Sequence, residues 1–277
     1  MRRPARKRLK WGNAFVTVYL AVYLVFVLFP IVWLVLGSLK SRYEALLVPP
    51  KLLFRPTFLA FDKILSGGLL HVFGNSLSIG LANVALAMLL GIPAAYGLSR
   101  MRGAARDNIA FWILSIRMAP AFGLVIPIYA LMRGLHLLDT LPAVIVAHLT
   151  INLPLAVWLL LSYFDELPED MEEAALIDGA SRLQALTRVI LPLSGPMLVA
   201  VALLVFVFSW NEFLFAFILT SSRAQTVPAL IASLAGTMNF DWPLMSAISV
   251  AALVPAFIVV FLAQRSITEG LTMGAIK

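Results

Sequence analysis

Long apolar runs constrain the fold of this chain more than any other feature. A helix needs about 20 residues to cross a hydrocarbon layer roughly 30 Å thick, and several runs reach that length. Because a bilayer offers no water to pair with the backbone, such runs form helices. They cover residues 14–37, 76–99, 108–132, 140–163, 197–220 and 244–264. The sequence therefore predicts an all-α membrane protein with six transmembrane helices.

Composition and charge agree with a lipid environment. Hydrophobic residues make up 61% of the 277 residues and charged residues only 13%, against about 25% in a typical soluble domain. The net charge of +7 comes from basic residues that flank the apolar runs, which is typical of orientation signals and argues against a nucleic-acid partner. The chain has no cysteine and only three scattered histidines, so we expect no catalytic residue and no metal site.

The distribution of Lys and Arg predicts the orientation in the membrane. With an even number of crossings, thirteen basic residues fall on the side of the termini and seven on the other side. Since cytoplasmic loops carry the excess, both termini are predicted to be cytoplasmic. Residues 38–72 then form the longest external loop, with an amphipathic helix at about 57–66. We expect residues 1–277 to form a single transmembrane domain.

A polar segment at 169–193 separates the fourth and fifth apolar runs on the cytoplasmic side. Pro168 and the acidic residues that follow it suit the first turn of a helix. Gly179 suits a left-handed residue at the end of that helix. A second helix with apolar residues at helical spacing should follow and close at Pro192 and Pro196. The segment is predicted to be a helix, a turn and a helix within a cytoplasmic loop of about 165–195.

The order of residues in this segment resembles the EAA signature of binding-protein-dependent ABC importer permeases. That signature reads EAA, three residues, G, nine residues, I, one residue, L, P. The matching residues are Glu173, Ala174, Ala175, Gly179, Leu191 and Pro192, and Val189 stands where isoleucine is usual. The stretches 115–140, 208–213 and 269–277 are also similar to carbohydrate-type importers, above all to the second membrane subunit of maltose-type systems.

The resemblance implies a fold, a location and a set of partners. It implies the six-transmembrane-helix type I ABC importer permease fold, in the inner membrane of a bacterium or archaeon. The implied partners are a second homologous permease, two ATPase subunits and an external solute-binding protein. The six matching residues would form a coupling loop that docks on an ATPase subunit, and the tail Gly270–Lys277 either adds a contact or is a frayed terminus. The permease itself would be non-catalytic, because no GxxxxGK[ST] motif occurs and ATP and Mg²⁺ would bind the ATPase.

Polar side chains inside the apolar runs are costly and need partners or water. They are Arg117, Asn152, Asn211 and Glu212. Each either bonds to a neighbouring helix or lines the substrate path. Arg117 and Glu212 differ by about 10 Å in predicted depth at 1.5 Å per residue, so we do not expect them to pair. We expect His148 to be a packed, hydrogen-bonded residue.

Three other functions compete with a carbohydrate permease at this point. An ion-coupled secondary transporter would use Arg117 and Glu212 as relay residues, but no internal repeat of the kind common in such proteins is visible. A lipid phosphotransferase is suggested by Asp178, Gly179 and Arg182, but the chain offers no cluster of carboxylates for a metal. An ABC permease for a non-sugar solute would show the same signature.

Overall fold

The computed structural model describes residues 10–236 and 240–273, and every regular element in those ranges is a helix. The helices are α1 (Lys10–Ser38), α2 (Arg42–Ala45), α3 (Leu59–Ser66), α4 (Leu70–Ser99), α5 (Ala104–Met118), α6 (Ala121–Gly134), α7 (Leu141–Glu166), α8 (Asp170–Ile177), α9 (Arg182–Ala185), α10 (Leu191–Leu193), α11 (Gly195–Asn211), α12 (Leu214–Leu219), α13 (Val227–Ala235) and α14 (Trp242–Met273), with a π-helical turn at Leu186–Ile190. The all-α fold is thus confirmed. Part of the predicted tail contact, residues 274–277, lies outside the described residues.

Four of these helices are individually long and apolar enough to cross a membrane. They are Val16–Ser38 in α1, Leu70–Ser99, Leu141–Glu166 and Trp242–Phe261 in α14. Two further pairs of helices pass the same test only when taken together: Ala104–Met118 with Ala121–Gly134, and Arg182–Leu193 with Gly195–Asn211. The described residues therefore contain up to six spans if each bent pair is one crossing.

The third apolar run, predicted as one helix over 108–132, is broken. Helices α5 and α6 meet at 92°, and the break lies at Ala119 and Pro120. Ala119 has ψ 132°, an extended conformation, because the ring of a following proline clashes with a helical backbone at the residue before it. A continuous helix through Pro120 was therefore a wrong prediction.

The fifth apolar run is also broken, and Glu212 does not lie inside a helix as predicted. Helix α11 ends at Asn211, and Glu212 is extended with ψ 128° before α12 begins. The Glu212 carboxylate accepts the backbone N–H groups of Phe215 at 3.0 Å and Ala216 at 3.3 Å. In an unbroken helix those N–H groups would bond to the carbonyls of residues 211 and 212. The side chain of Glu212 replaces those backbone acceptors at the start of α12.

The core is formed by α4, α7 and α11. Helix α4 carries buried small residues at four-residue spacing, Ala87, Gly91 and Ala95, and Ala87 and Ala95 are fully buried. At Gly91 an added Cβ would lie 3.5 Å from the Cβ of Ala156 on α7. Small residues at these positions let the two helix backbones approach closely, as expected from the four-residue spacing.

The chain divides into two compact units, one of residues 1–68 with 239–251 and one of residues 69–238 with 252–277. The first unit contains α3, which confirms the short helix predicted at 57–66. Within this unit Lys63 Nζ pairs with Asp241 Oδ2 at 2.6 Å. The core described above, and the loop at 165–195, belong to the second unit.

Candidate functional site

The polar segment begins with α8, which starts at Asp170, close to the predicted start near Pro168. Leu167, the residue before the proline, is extended with ψ 134°, so the helical backbone begins only after Pro168. Asp170, Glu172 and Glu173 occupy the first turn. Their negative charges complement the positive end of the helix dipole.

A left-handed glycine ends α8, as predicted. Gly179 has φ +87°, a conformation that residues with a side chain rarely adopt. The N–H of Ala180 donates to the carbonyl of Ala175 at 3.0 Å, and the N–H of Gly179 donates to the carbonyl of Leu176 at 3.1 Å. This pair of bonds is a Schellman motif, which satisfies the last carbonyls of the helix and turns the chain sharply.

The helix of the second half passes Pro192 and ends at Leu193, between the two prolines at which it was predicted to close. Proline has no N–H, and its ring would clash with the carbonyl four residues earlier in a regular α-helix. A π-turn at Leu186–Ile190 precedes it, with the N–H of Leu191 bonded to the carbonyl of Leu186. This wider turn accommodates the proline within the helix. Leu186 and Ile190 are buried against the core.

The two glutamates at the start of the EAA match face opposite ways. Glu172 is buried with 5% of its surface exposed, whereas Glu173 and Ala174 are exposed. Tyr96 Oη on α4 donates to Glu172 Oε1 at 2.5 Å, and Arg100 Nε pairs with Glu172 Oε2. The outward face also carries apolar side chains, since Ile177 is 85% and Leu183 69% exposed.

Three of the four polar residues predicted within the apolar runs contact a neighbouring helix. Asn152 is buried on α7 and its Nδ2 donates to Oδ1 of Asn83 on α4 at 3.3 Å. Glu212 Oε2 lies 2.9 Å from Nε2 of His148 on α7. His148 is itself buried, and its Nδ1 lies 2.8 Å from Ser209 Oγ on α11. His148 thus has the packed, hydrogen-bonded environment expected from the sequence.

Arg117 also contacts α7, whereas Asn211 bonds within its own helix. Arg117 donates from Nη1 to the carbonyl of Ile151 at 3.4 Å, and its guanidinium lies 5.1 Å from the ring centre of Phe208. Asn211 is exposed and donates only to Val207, within its own helix, at 2.8 Å. Neither of these contacts involves Glu212, in line with the predicted difference in depth.

A family model described as the binding-protein-dependent transport system inner membrane component matches residues 87–271. The chain belongs to this family. The match covers the core helices α7 and α11 and the whole EAA-like segment. Membership places the permease in the inner membrane and sets aside both the ion-coupled transporter and the lipid phosphotransferase.

Permeases of known systems are similar to this chain over most of its length. It is 36% identical to the sulfoquinovosyl glycerol transport system permease protein of Agrobacterium fabrum, covering 93% of this chain and 91% of that protein. It is 37% identical to the trehalose/maltose transport system permease protein of Thermococcus litoralis, covering 90% and 91% respectively. A crystal structure of a bacterial ABC transporter that imports the acidic polysaccharide alginate contains a similar chain, with TM-score 0.76 and 23% identity over 96% of this chain and 99% of that one. The last comparison supports the importer permease fold.

Sequence reasoning missed the residues that hold the EAA-like segment of this permease in place. Glu172 was considered only as one of the acidic residues that suit the first turn of a helix, and no contact of it with Tyr96 or Arg100 was predicted. These residues are 76 and 72 positions from Glu172 in the chain. A weak signal existed, because successive side chains of an α-helix are about 100° apart, so Glu172 and Glu173 cannot both face the same partner.

Proposed function

We propose that this chain is a non-catalytic permease subunit of an ATP-driven, binding-protein-dependent importer of carbohydrates. It would pair with a second, homologous permease and with two ATPase subunits that bind ATP and Mg²⁺. An external solute-binding protein would deliver the substrate. Closure of the ATPase subunits would move the segment 165–195, here called the coupling loop, and so switch the pathway between its inward-facing and outward-facing states.

The observation that carries this proposal is the exposed face of the coupling loop. Glu173 and Ala174 lie on its surface beside Ile177 and Leu183, two large apolar side chains. Apolar groups clustered with a charge on a surface that is not in lipid are typical of a protein interface. Glu173 would pair with a basic residue of the ATPase, and the small Ala174 and Ala175 would allow a close approach.

Support for a carbohydrate substrate comes from the relatives. The two permeases described above are named for a sulfoquinovosyl glycerol system and a trehalose/maltose system, both of which carry sugars. Of the four polar residues in the apolar runs, Asn211 is the one exposed side chain, and it would line the path together with the half-buried Arg117. Asn152 and Glu212 would instead hold helices together.

The test uses the assembled transporter with Glu173→Lys and Gly179→Val. We expect both variants to reduce co-purification of the ATPase and to reduce ATP-dependent uptake of a labelled disaccharide by about tenfold or more. The lysine would repel a basic partner, and the valine would strain the turn and project from α8. Gly68→Val is the matched control, because Gly68 also has a positive φ of +73° and open space around it but lies in the predicted external loop.

Normal ATPase association and normal uptake in both coupling-loop variants would refute the coupling role. Uptake of a labelled amino acid in place of the disaccharide would refute the carbohydrate assignment and favour a permease for a non-sugar solute.

A further inference from the structure

Helix α8 is attached to the rest of the permease in an unusual way. Glu172 is its only buried residue, and the structure describes all eight residues of the helix. The second half of the coupling loop is different, since Ala185, Leu186 and Ile190 are buried there. The one fully buried side chain of the helix that carries the exposed docking face is therefore acidic, while Met171 and Ala175 are only partly buried.

The anchor joins α8 to the cytoplasmic ends of two core helices. Glu172 accepts a hydrogen bond from Tyr96 Oη at 2.5 Å and pairs with Arg100, both at the end of α4. Arg100 Nη1 donates to the carbonyl of Phe164 near the end of α7 at 3.4 Å. The ring of Tyr96 packs edge-on against Phe164 with centroids 6.4 Å apart. One carboxylate thus connects three helices.

Burial makes this connection strong and directional. The side chains of Arg100 and Glu172 are 10% and 7% exposed. Glu172 is the carboxylate that pairs with the Arg100 guanidinium and compensates its charge. Within the described residues, Nη2 of the same guanidinium is buried without a hydrogen-bond partner. Removing one member of a buried, hydrogen-bonded pair leaves the other charge uncompensated. A nearby pair, Arg102 with Glu169, is 86% and 51% exposed and contributes far less.

We propose that Glu172 is a positioning residue that transmits the movement of α8 into the membrane through Tyr96 and Arg100. The proposal rests on the proposed function, in which an ATPase moves the coupling loop. Apolar surfaces can slide past one another, whereas a carboxylate bonded through one oxygen to Tyr96 and through the other to Arg100 fixes both distance and direction. Glu173 receives the movement from the ATPase, and Glu172 passes it to α4 and α7.

The experiment compares Glu172→Gln and Tyr96→Phe in the complete transporter of both permeases, the ATPase and the binding protein. Both changes preserve side-chain volume and remove part of the anchor. We expect normal co-purification of the ATPase and ATP hydrolysis within about twofold of the wild type, but uptake reduced by about tenfold or more. The number of substrate molecules imported per ATP therefore falls. Asp107→Asn, on α5 outside the coupling loop and with its side chain 72% exposed, is the matched control and should leave this ratio unchanged.

An exchange of charges provides the rescue. Arg100→Glu and Glu172→Arg should each impair uptake. In the double variant opposite charges face each other again, so the number of substrate molecules imported per ATP should partly recover.

An unchanged ratio in Glu172→Gln and Tyr96→Phe would overturn the proposal. So would a parallel loss of uptake and hydrolysis that follows the amount of folded protein, since that is the result of a purely structural role. If the proposed function itself is wrong, the result differs. Glu173→Lys would then leave association with the ATPase intact, regardless of the effect of substitutions at Glu172.

Discussion

Asp139 connects two loops that are more than 80 residues apart in sequence. Its carboxylate accepts backbone N–H groups from Ser221, Ser222, Arg223 and Ala224 at 3.1–3.2 Å. The hydroxyl of Ser221 donates to the same carboxylate at 2.9 Å. Burial alone would raise the pKa of Asp139, but the N–H groups of Ala224, Ser221 and Arg223 outweigh it and hold the pKa well below its ordinary value of 3.8.

We expect Asp139→Asn to lower the free energy of unfolding by about 2 kcal/mol at pH 7, because an amide offers one acceptor oxygen in place of two charged ones. A group whose pKa is lowered by folding stabilises the protein above its unfolded pKa and loses that effect as the pH falls. The difference from the wild type should therefore narrow below the ordinary pKa of 3.8. Thermal unfolding in detergent at several pH values measures the stability difference between Asp139→Asn and the wild type.

Asp107→Asn is the control for Asp139→Asn. The Asp107 side chain is 72% exposed in a surface ion pair, so its replacement should change stability by no more than about 0.5 kcal/mol. Equal melting temperatures for Asp139→Asn and the wild type at pH 7 would show that the carboxylate does not hold the two loops.

At the scale of the helix, Glu212 determines where α11 stops and α12 starts. Its carboxylate caps α12 at Phe215 and Ala216 and also faces His148.

We expect Glu212→Ala to destabilise the permease by about 2–4 kcal/mol, because the cap is lost and the buried imidazole loses a partner. Glu212→Gln should destabilise it less, since an amide oxygen still accepts from the backbone. Thermal unfolding separates the two variants, and Glu166→Ala at an exposed site serves as the control. Equal stability of Glu212→Ala and the control would exclude a capping role.

Length and hydropathy were sufficient to predict which segments are helical, but not where two of them break. Four apolar runs correspond to single long helices, whose ends differ from the prediction by several residues. The breaks at Pro120 and Glu212 were missed for different reasons. A proline inside an apolar run is compatible with either a kink or a break, as the unbroken α4 with Pro93 shows. The cap by Glu212 depends on a tertiary contact with α7 that sequence periodicity does not contain.

In the coupling loop, too, the feature that was missed depends on contacts between residues distant in sequence. Gly179 was predicted correctly because a left-handed turn at the end of a helix has a local chemical signature. The opposite orientations of Glu172 and Glu173 depend on Tyr96 and Arg100, which are distant in sequence. Local rules therefore predicted the shape of the loop but not its anchor.

At the scale of the whole molecule, α1 is apolar on all sides and makes no core of its own. Residues 16–30 are all exposed, and Phe26 is 75% exposed. A helix of this kind is stable only in lipid or against another subunit. Its apolar surface therefore agrees with a membrane protein that works in an assembly.

The predicted orientation of the chain can be tested cleanly because the protein has no cysteine. Leu53 is 89% exposed in the predicted external loop, and Ile177 is 85% exposed in the coupling loop. In the chain expressed without its ATPase, a membrane-impermeant maleimide should label Leu53→Cys in intact spheroplasts and Ile177→Cys only in inside-out vesicles. The cysteine-free protein should not react in either preparation. This pattern follows from the excess of Lys and Arg on the cytoplasmic side, and the reverse pattern would place the coupling loop on the wrong side for an ATPase.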